Sequence, residues 1–177
     1  DNMARLVQQL LALARAESVA DRGGVFEKLD LNRIAHEVTA QWAEKALAKH
    51  IDLGFEAAPN AVFINGMPLL LQEMLHNLVD NAVKYTSSGG RVTVRGAAGD
   101  MPAIEVEDSG IGLPAEEREK VFSRFYRVLG REAEGSGLGL AIVKEIADLH
   151  LAHITIEDSN DATSLRVRVS FPLPSSF

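Results

Sequence analysis

Stretches with apolar residues at three- and four-residue spacing, typical of amphipathic helices, alternate along the chain with stretches of period-two alternation, typical of strands. The helical pattern occupies residues 1–18, "LDLNRIAHEVTAQWAEKALAKH", residues 67–85 and "GLAIVKEIADLH". The strand pattern occupies "IDLGFEA", "RVTVRG", "AIEVED", "HITIED" and "SLRVRVSFPL". This order predicts an α+β fold. We expect a two-layer α/β sandwich, a mixed, largely antiparallel sheet packed on helices, preceded by one amphipathic helix.

Glycines and charged runs interrupt the pattern and predict how the chain is divided. Gly23 and Gly24 break the first helical pattern, so residues 19–27 are predicted to be a linker between residues 1–18 and a unit of residues 28–177. Within that unit "PAEEREKVFSRFYRV" predicts a short charged helix. "LGREAEGSG" after it has no apolar periodicity, so we expect mobility there. Because the chain starts directly in a helical pattern without an initiator methionine, we expect a fragment of a longer protein.

The composition is that of a soluble globular protein with one core. The 177 residues are 46% hydrophobic and 24% charged, with a net charge of −7. A nucleic-acid partner is not expected, because its phosphates would be repelled by the net negative charge of the chain. The absence of cysteine excludes disulfides, thiolate metal sites and a cysteine nucleophile. No apolar run approaches the ~20 residues that span a bilayer, so no membrane contact is expected from this chain.

The helix of residues 67–85 carries a polar stripe among its apolar positions. Asn77 and Asn81 are four residues apart and Lys84 is three further on, so the three side chains project from nearly one face. A solvated stripe is one explanation of this pattern. Amide oxygens are also hard ligands that suit Mg²⁺, which takes one or two protein oxygens and leaves its other positions to water and phosphate. Lys84 could then contact a phosphate.

A first glycine-rich segment, "VEDSGIGLP", follows a predicted strand. Asp108 stands at the strand end, where its carboxylate can accept a hydrogen bond from an exocyclic amine. Gly110 and Gly112 allow positive φ and the close approach of a flat ligand to the backbone. An ordinary Asp-Ser-Gly turn is the alternative interpretation.

A second glycine-rich segment, "GSGLGLAIVKEIADLH", runs into a helix. Gly135, Gly137 and Gly139 directly precede helical residues, and the backbone N–H groups and dipole of a helix start favour phosphate. A dinucleotide fingerprint is a rival, since Asp158 lies about 20 residues on. That motif needs a strand immediately before the glycines, where the charged "GREAE" stands, so we reject it. The chain contains no Gly-Lys dipeptide, which excludes a P-loop.

In order and content these segments resemble the N, G1, F and G2 boxes of the ATP-binding domain of bacterial two-component sensor histidine kinases. That family belongs to the larger GHKL ATPase superfamily, which includes gyrase and mismatch-repair proteins. The matching segments are "HNLVDNAVKYT", "DSGIGLP", "VFSRFYRV" and "GSGLGLAIV" respectively. The resemblance runs from about residue 28 to 172, and residues 1–18 resemble the end of the second helix of the family's dimerisation hairpin. It implies ATP and Mg²⁺ as ligands.

By position, the resemblance also implies roles for individual residues. Asn81 would ligate Mg²⁺ with assistance from Asn77, and Lys84 and Arg127 would contact phosphates, so that Asn77, Lys84 and Arg127 form the catalytic set. Asp108 would bind the adenine amine. The further implied nucleotide contacts are Tyr85, Gly110, Ile111, Gly112, Phe122, Ser136, Gly137, Leu138 and Gly139.

The resemblance further implies an ATP lid at residues 123–136, with Phe122 and Phe125 at its start. One departure concerns the turn after the last helix, where the family often has two glycines following "LH". This chain has Leu151 and Ala152 there. We expect that difference to affect a turn and not the site.

The position of Asn77 bears on the reaction. Gyrase-like members of the superfamily hydrolyse ATP with a Glu one helical turn before the metal-binding Asn, as general base for water. Here that position is Asn77, whose amide cannot accept a proton at neutral pH. The sequence therefore favours delivery of the γ-phosphoryl group to another nucleophile. Glu73, one turn further back, is expected to be a charge on the helix surface.

The five histidines do not include an acceptor of the family's type. In "HEVTAQ", His36 is followed by Glu37, but the remainder of the acceptor motif is missing, and the segment lies inside the ATP-binding unit. His150 and His153 make an incomplete metal site, and a helix end running into a strand explains them more simply. His50 and His76 suggest no partner. The acceptor histidine is therefore expected on a dimerisation hairpin outside this chain.

Three other functions remain as alternatives: a GHKL-type ATP hydrolase, an anti-sigma-type serine kinase and a non-catalytic nucleotide-binding regulatory module. The Asn in place of Glu counts against the first, the helix-like residues 1–18 against the second, and the completeness of the boxes against the third. The resemblance implies a homodimeric parent protein, a response regulator receiver domain as partner, and a cytoplasmic location for this domain in a parent of the bacterial inner membrane.

Overall fold

The computed structural model describes Val7, Leu11 and residues 25–128, 136–159 and 164–173. Within these residues the elements are β1 (Glu27–Asp30), α1 (Leu31–Ala48), β2 (Asp52–Glu56), β3 (Phe63–Gly66), α2 (Pro68–Tyr85), β4 (Arg91–Ala97), β5 (Ala103–Asp108), α3 (Gly139–Leu149), β6 (His153–Asp158) and β7 (Leu165–Ser170). Two single turns of 3₁₀ helix, Ala115–Glu117 and Lys120–Phe122, lie between β5 and α3.

Five strands form one sheet in the order β2-β4-β5-β7-β6. The β2–β4 pair is parallel and the other three pairs are antiparallel, whereas β1 and β3 form a separate antiparallel ribbon. All three helices pack against strands of the five-stranded sheet, and α2 also packs between α1 and α3. The predicted α+β fold, a helical layer on a mixed and largely antiparallel sheet, is therefore confirmed.

The core lies between the helices and the inner face of the sheet. Helix α2 contributes the widest apolar surface, because its buried residues recur at three- and four-residue spacing (Leu71, Met74, Leu75, Leu78, Val79 and Val83). The opposing strands bury alternate residues, such as Val92 and Val94 of β4. The polar stripe of α2 is thus carried on a helix fixed by the core.

Asp30 begins α1 and joins it to the ribbon. Its Oδ1 accepts hydrogen bonds from the backbone N–H of Asn32, at 3.0 Å, and of Val62, at 3.0 Å. The first bond caps the helix and the second holds the chain just before β3. Asp30 is therefore the N-cap of α1.

The outer face of the sheet carries alternating rows of opposite charge. Neighbouring strands place arginines opposite glutamates, which form ion pairs between Arg95 and Glu56, Arg95 and Glu107, Arg166 and Glu107, and Arg168 and Glu105. Cross-strand pairs of this kind stabilise a sheet and fix its register. The period-two pattern of the sequence therefore corresponds to one apolar and one charged face.

Some sequence expectations differ from the structure. Strands β1 and β3 were not predicted, and the predicted charged helix of "PAEEREKVFSRFYRV" is wrong, because residues 115–122 form two separate 3₁₀ turns. Of residues 1–24 only Val7 and Leu11 are described, both helical and exposed, so the hairpin helix and the linker remain predictions. The segment "LGREAEGSG" lies mostly outside the described residues.

The turn after α3, where the resemblance implies a glycine pair, contains a residue in the left-handed conformation. Leu151 has φ 53° and its side chain is 81% exposed. His150, just before it, is buried and receives the backbone N–H of Met67 on Nε2 at 3.0 Å. The departure from the glycine pair is thus accommodated at an exposed position.

Gly96 of β4 lies against Asn32 and provides a first test of the fold. A Cβ at this position would lie 2.1 Å from Asn32 Oδ1, which accepts from the N–H of Ala58. We expect Gly96→Ala to lower the free energy of unfolding by about 2 kcal/mol, because Asn32 must move from the loop it holds. Chemical denaturation measures the loss. Gly54→Ala in β2 is the control, since a Cβ there meets nothing within 4 Å; equal losses in the two variants would contradict this explanation.

We expect the burial of His150 to make the stability of the domain depend on pH. Its ring Nδ1 lies 2.7 Å from the carbonyl of Ile146, and burial lowers its pKa from the ordinary value of 6.5, while this hydrogen bond opposes the shift. A lowered pKa in the folded state means that the unfolded chain binds a proton first. The contribution of neutral His150 to the free energy of unfolding should therefore be fully present above pH 6.5 and should decrease as the pH falls below it.

Denaturation of His150→Gln between pH 7.5 and 5, on the order of one unit to either side of the histidine pKa, tests this dependence. We expect the variant to be less stable at neutral pH but to lose less stability on acidification than the native chain. His76 should contribute to the pH dependence that remains in this variant, because burial also lowers the pKa of His76. His153→Gln is the control, because His153 is exposed. An unchanged slope in His150→Gln would assign the pH dependence to other groups.

Candidate functional site

A pocket opens between α2, α3 and the end of the sheet where β5 finishes. Its floor is apolar and includes Val106, Val167 and Ile156 from three strands of the sheet. Most of the polar groups around it come from the polar stripe of α2 and from the end of β5. The residues that line it are Leu78, Asp80, Asn81, Ala82, Lys84, Tyr85, Val106, Asp108, Gly112, Leu113, Val121, Tyr126, Arg127, Val128, Ser136, Gly137, Gly139, Leu140, Ile156, Leu165 and Val167.

The structure brings nine of the predicted site residues to this pocket: Asn81, Lys84, Tyr85, Asp108, Gly112, Arg127, Ser136, Gly137 and Gly139. Five others are not among the lining residues: Asn77, Gly110, Ile111, Phe122 and Leu138. Ile111 is 55% exposed, whereas Leu138 is buried in the core. Asn77 and Gly110 lie directly behind lining residues, as the contacts below show.

Asn77 is buried beside the start of α3. Its Nδ2 donates to the backbone carbonyl of Glu73 at 2.8 Å and to Glu73 Oε1 at 3.2 Å. Because both partners are acceptors, the amide nitrogen is turned toward Glu73 and the oxygen toward Gly139. Glu73 is thus half-buried and bonded to Asn77, and is more than the surface charge expected from the sequence.

Gly139 leaves room in front of the two asparagines. A Cβ at this first residue of α3 would lie 3.3 Å from Asn77 Oδ1 and 3.5 Å from Asn81 Nδ2. The helix start and the two amides therefore face one small space, which any side chain at position 139 would narrow. Amide oxygens beside a helix N-terminus suit a hydrated divalent cation carrying phosphate oxygens.

Asp108 lines the pocket at the end of β5. The N–H of Gly110 donates to its Oδ1 at 2.9 Å, which fixes the carboxylate at the strand end. A Cβ on Gly110 would lie 2.6 Å from both Asp108 Oδ1 and the carbonyl oxygen of Tyr85. Gly112 has φ 64°, in the left-handed region. Glycine at position 110 is therefore required by close packing, and at position 112 by backbone conformation.

The described ends of the predicted lid are held together by their backbones. The N–H of Phe125 donates to the carbonyl of Gly137 at 2.9 Å, and both residues have positive φ, 63° and 72°. A Cβ on Gly137 would lie 2.8 Å from the carbonyl carbon of Phe125. Tyr126, which lines the pocket, donates its hydroxyl to Glu117. Residues 129–135 of the predicted lid lie outside the described residues.

The ammonium group of Lys49, the residue that follows α1, binds the C-terminal end of α2. Lys49 Nζ donates to the carbonyls of Val83, at 2.8 Å, and Lys84, at 3.4 Å, which are among the last carbonyls of the helix. A positive charge there also complements the helix dipole. Lys49 thereby fixes the turn that presents Lys84 and Tyr85 to the pocket.

Sequence reasoning missed the apolar walls of the site. Leu78, Val106, Leu113, Val121, Leu140, Ile156, Leu165 and Val167 all line the pocket but read as core positions in the sequence. Asp80, next to Asn81, also lines it, and its Oδ1 pairs with Lys45 at 3.4 Å. No local signal separates such positions from ordinary core and surface residues. Their role becomes visible only when strands distant in sequence meet.

The five histidines are all described, and none lines the pocket. His36, His50 and His153 are exposed, and His150 is buried. His76 has a partner that the sequence did not suggest, because Trp42 Nε1 donates to its Nδ1 at 2.9 Å. Among the described residues no three His, Cys, Asp or Glu side chains gather in a way that could hold a metal ion. None of the helices in this described part of the chain has the length and apolarity that a membrane crossing needs.

The fold and the site together define a class of protein, an ATP-binding domain with a helical layer over a mixed sheet and a pocket between them. Residues 66–175 match the family described as "Histidine kinase-, DNA gyrase B-, and HSP90-like ATPase". The chain belongs to this family. The resemblance to the ATP-binding domain of sensor histidine kinases is confirmed by the relatives and solved structures that follow.

The sensor protein kinase PmrB of Pseudomonas aeruginosa is 36% identical over 174 residues, which cover 97% of this chain and 36% of PmrB. The chain thus spans little more than a third of that relative's length. Among solved structures, the mycobacterial sensor histidine kinase MprB is 27% identical with a TM-score of 0.73, covering 84% of this chain and 97% of that one. Full-length ShkA in complex with AMPPNP has a TM-score of 0.84 at 23% identity, covering 99% of this chain and 37% of that one, which shows the shared fold.

Proposed function

We propose that this chain is the catalytic unit with which a sensor histidine kinase binds Mg-ATP and transfers the γ-phosphoryl group to a histidine on a dimerisation hairpin. The observation that carries the proposal is the convergence of Asn81, Lys84 and Asp108 on one pocket. These residues come from two segments chosen for metal, phosphate and adenine chemistry respectively. The pocket between them has an apolar floor, which suits the flat face of a base.

The donor set fits a magnesium ion at the end of the pocket formed by α2 and α3. Asn81 would ligate the ion through its amide oxygen, with Asn77 assisting directly or through water. Lys84 and Arg127, both pocket-lining, would hold phosphate oxygens, and Gly137 and Gly139 would close around them. Bound there, the ion would neutralise charge that develops on the transferring phosphoryl group.

Phosphoryl transfer to a side chain is favoured over hydrolysis by the surroundings of Asn77. Its amide cannot act as a base, and the carboxylate of Glu73, one turn before it, accepts a hydrogen bond from that amide. Glu73 is also not among the pocket-lining residues. Water at the phosphate end would therefore find no carboxylate of α2 positioned one turn before Asn81 to activate it.

The resemblance to sensor histidine kinases suggests a wider context for this domain. We infer a homodimeric parent protein anchored in the bacterial inner membrane, with this domain on the cytoplasmic side. The phosphoryl group would pass from the hairpin histidine to the receiver domain of a response regulator.

Calorimetric titration with ADP or a non-hydrolysable ATP analogue, with and without Mg²⁺, tests the nucleotide site. We expect magnesium-dependent binding in the micromolar range, about −8 kcal/mol. Absence of binding under both conditions would contradict the proposal and favour a regulatory module with a closed pocket.

Incubation of the chain with γ-labelled ATP tests the reaction class. We expect no stable label on any of its five histidines, because none lies at the pocket. Label on a histidine of this chain would contradict the assignment of the acceptor to a separate hairpin. Steady release of inorganic phosphate would instead favour the ATP hydrolase.

A further inference from the structure

Arg118 joins two walls of the pocket without lining it. It follows the 3₁₀ turn Ala115–Glu117, and its side chain is 23% exposed. Its Nε and Nη2 both donate to the carbonyl of Leu113 at 3.3 Å, and its Nη1 donates to the carbonyl of Ile156 at 3.4 Å. The guanidinium also pairs with Asp158. The Asp158 that suggested a dinucleotide motif thus has a structural partner.

The two carbonyls belong to segments that no backbone ladder connects. Leu113 ends the loop that carries Gly110 and Gly112, whereas Ile156 lies on β6, the edge strand of the five-stranded sheet. Both residues line the pocket. An edge strand has backbone groups without a strand partner, and the guanidinium of Arg118 takes one of them. The guanidinium of Arg118 therefore bridges the loop wall and the strand wall of the pocket.

We propose that Arg118 is a positioning residue for the base end of the nucleotide pocket. By holding Leu113 and Ile156 at a fixed separation, it determines how closely the walls enclose a purine. It acts on the base and not on the phosphates, because the residues proposed for phosphate, Lys84, Arg127 and Gly139, belong to other segments. The inference rests on the proposed nucleotide binding.

The chemistry of the side chain is specific. A planar guanidinium has five N–H groups in a fixed fork and can serve three acceptors at once. An ammonium group is a single point at the end of a flexible chain and cannot bridge both carbonyls and the carboxylate in this geometry. Lysine at this position should therefore keep the positive charge but no longer hold Leu113 and Ile156 at a fixed separation.

The test compares Arg118→Lys and Arg118→Ala with the native chain in titrations with ADP and with a non-hydrolysable ATP analogue. We expect both variants to bind each nucleotide about tenfold more weakly, because the loosened walls must be ordered again on binding. The ratio of the two affinities should stay that of the native chain, since the added phosphate is held elsewhere. An unchanged affinity, or a changed ratio, would overturn the proposal.

Hydrogen exchange of the nucleotide-free chain gives an independent readout. Exchange should accelerate in residues 109–113 and 153–158 and stay unchanged in α1 and α2. A uniform acceleration would mean a general structural role and would overturn the proposal. If the native chain itself failed to bind nucleotide, the proposed function would fail, while the exchange result would still decide whether Arg118 holds the two walls.

Two further variants guard against a folding defect. Asp158→Asn keeps the shape of the partner, removes its charge and lies at an exposed side chain, so it should fold and bind with a smaller loss of affinity than Arg118→Lys. Arg33→Lys is the control, because Arg33 pairs only loosely with Glu37, at 3.9 Å, on the exposed face of α1. Equal effects of Arg118→Lys and Arg33→Lys would contradict a special role for Arg118.

Discussion

Asn81→Ala is expected to abolish magnesium-dependent nucleotide binding while the domain stays folded. Asn81 lines the pocket and lies behind Gly139, whose missing side chain leaves space in front of its amide. Removing a metal ligand should lower the affinity for the magnesium complex by at least about a hundredfold, since even groups that only orient metal ligands contribute ten- to a hundredfold. Asn81→Asp should also fail, because its added charge would repel the phosphates.

Titration calorimetry with and without Mg²⁺ measures the effect, and circular dichroism monitors the fold. Binding of ADP without Mg²⁺ should weaken much less than binding with it, because the amide is proposed to act on the metal. The matched control is Asn65→Ala, on an exposed position of β3. Unchanged affinity in Asn81→Ala would remove Asn81 from the site.

Asp108→Asn is expected to weaken adenine nucleotide binding and to change the preferred base. The N–H of Gly110 holds Oδ1 of the residue at 2.9 Å and would select the oxygen of an asparagine in the same way. The amide nitrogen would then face the exocyclic amine of adenine, so that two donors oppose each other. Such a mismatch costs about 2 kcal/mol, or roughly thirtyfold in affinity.

A nucleotide whose base has a carbonyl at that position should lose less affinity for the Asp108→Asn variant than an adenine nucleotide, or should gain affinity. Inosine and guanosine nucleotides carry an acceptor where adenine carries its amine, so the affinity ratio of ADP to IDP should shift toward IDP in the variant. Asp100→Asn, on an exposed loop, should leave the ratio unchanged. An equal loss for ADP and IDP in Asp108→Asn would mean that the carboxylate supports the loop without reading the base.

The strands of the five-stranded sheet were predictable because apolar and polar residues alternate along their sequences. Val92 and Val94 alternate with polar neighbours in β4, and the same holds for β7. Strands β1 and β3 have four residues each, too short for a period to emerge, and they are defined by their mutual register and by Asp30. The segment of residues 115–122 has the composition of a helix, but Arg118 and Glu117 bond to distant partners and two separate 3₁₀ turns result.

The candidate site was predictable where its functional residues lie close together in the sequence. Asn81 with Lys84 and Asp108 with Gly112 lie within single motifs, whose residue types indicate metal, phosphate and amine binding. Leu113 and Ile156 could not be assigned, since an apolar residue at the pocket and one in the core look alike in sequence. Lys49 and Arg118 act on backbone carbonyls, which every residue carries, so that no sequence pattern marks their targets.

The pocket is lined by residues that are far apart in the sequence, so nucleotide can bind only to the folded chain. Its walls come from residues as far apart as Leu78 and Val167, so a chain that has lost its sheet has lost its binding site. Nucleotide would then bind the folded form alone and raise its stability by mass action, by about 2.7 kcal/mol at a hundredfold excess over Kd. That gain would offset a packing defect such as Gly96→Ala. In a cell rich in ATP, variants that melt early in buffer would persist, and depletion of nucleotide would expose them to proteolysis.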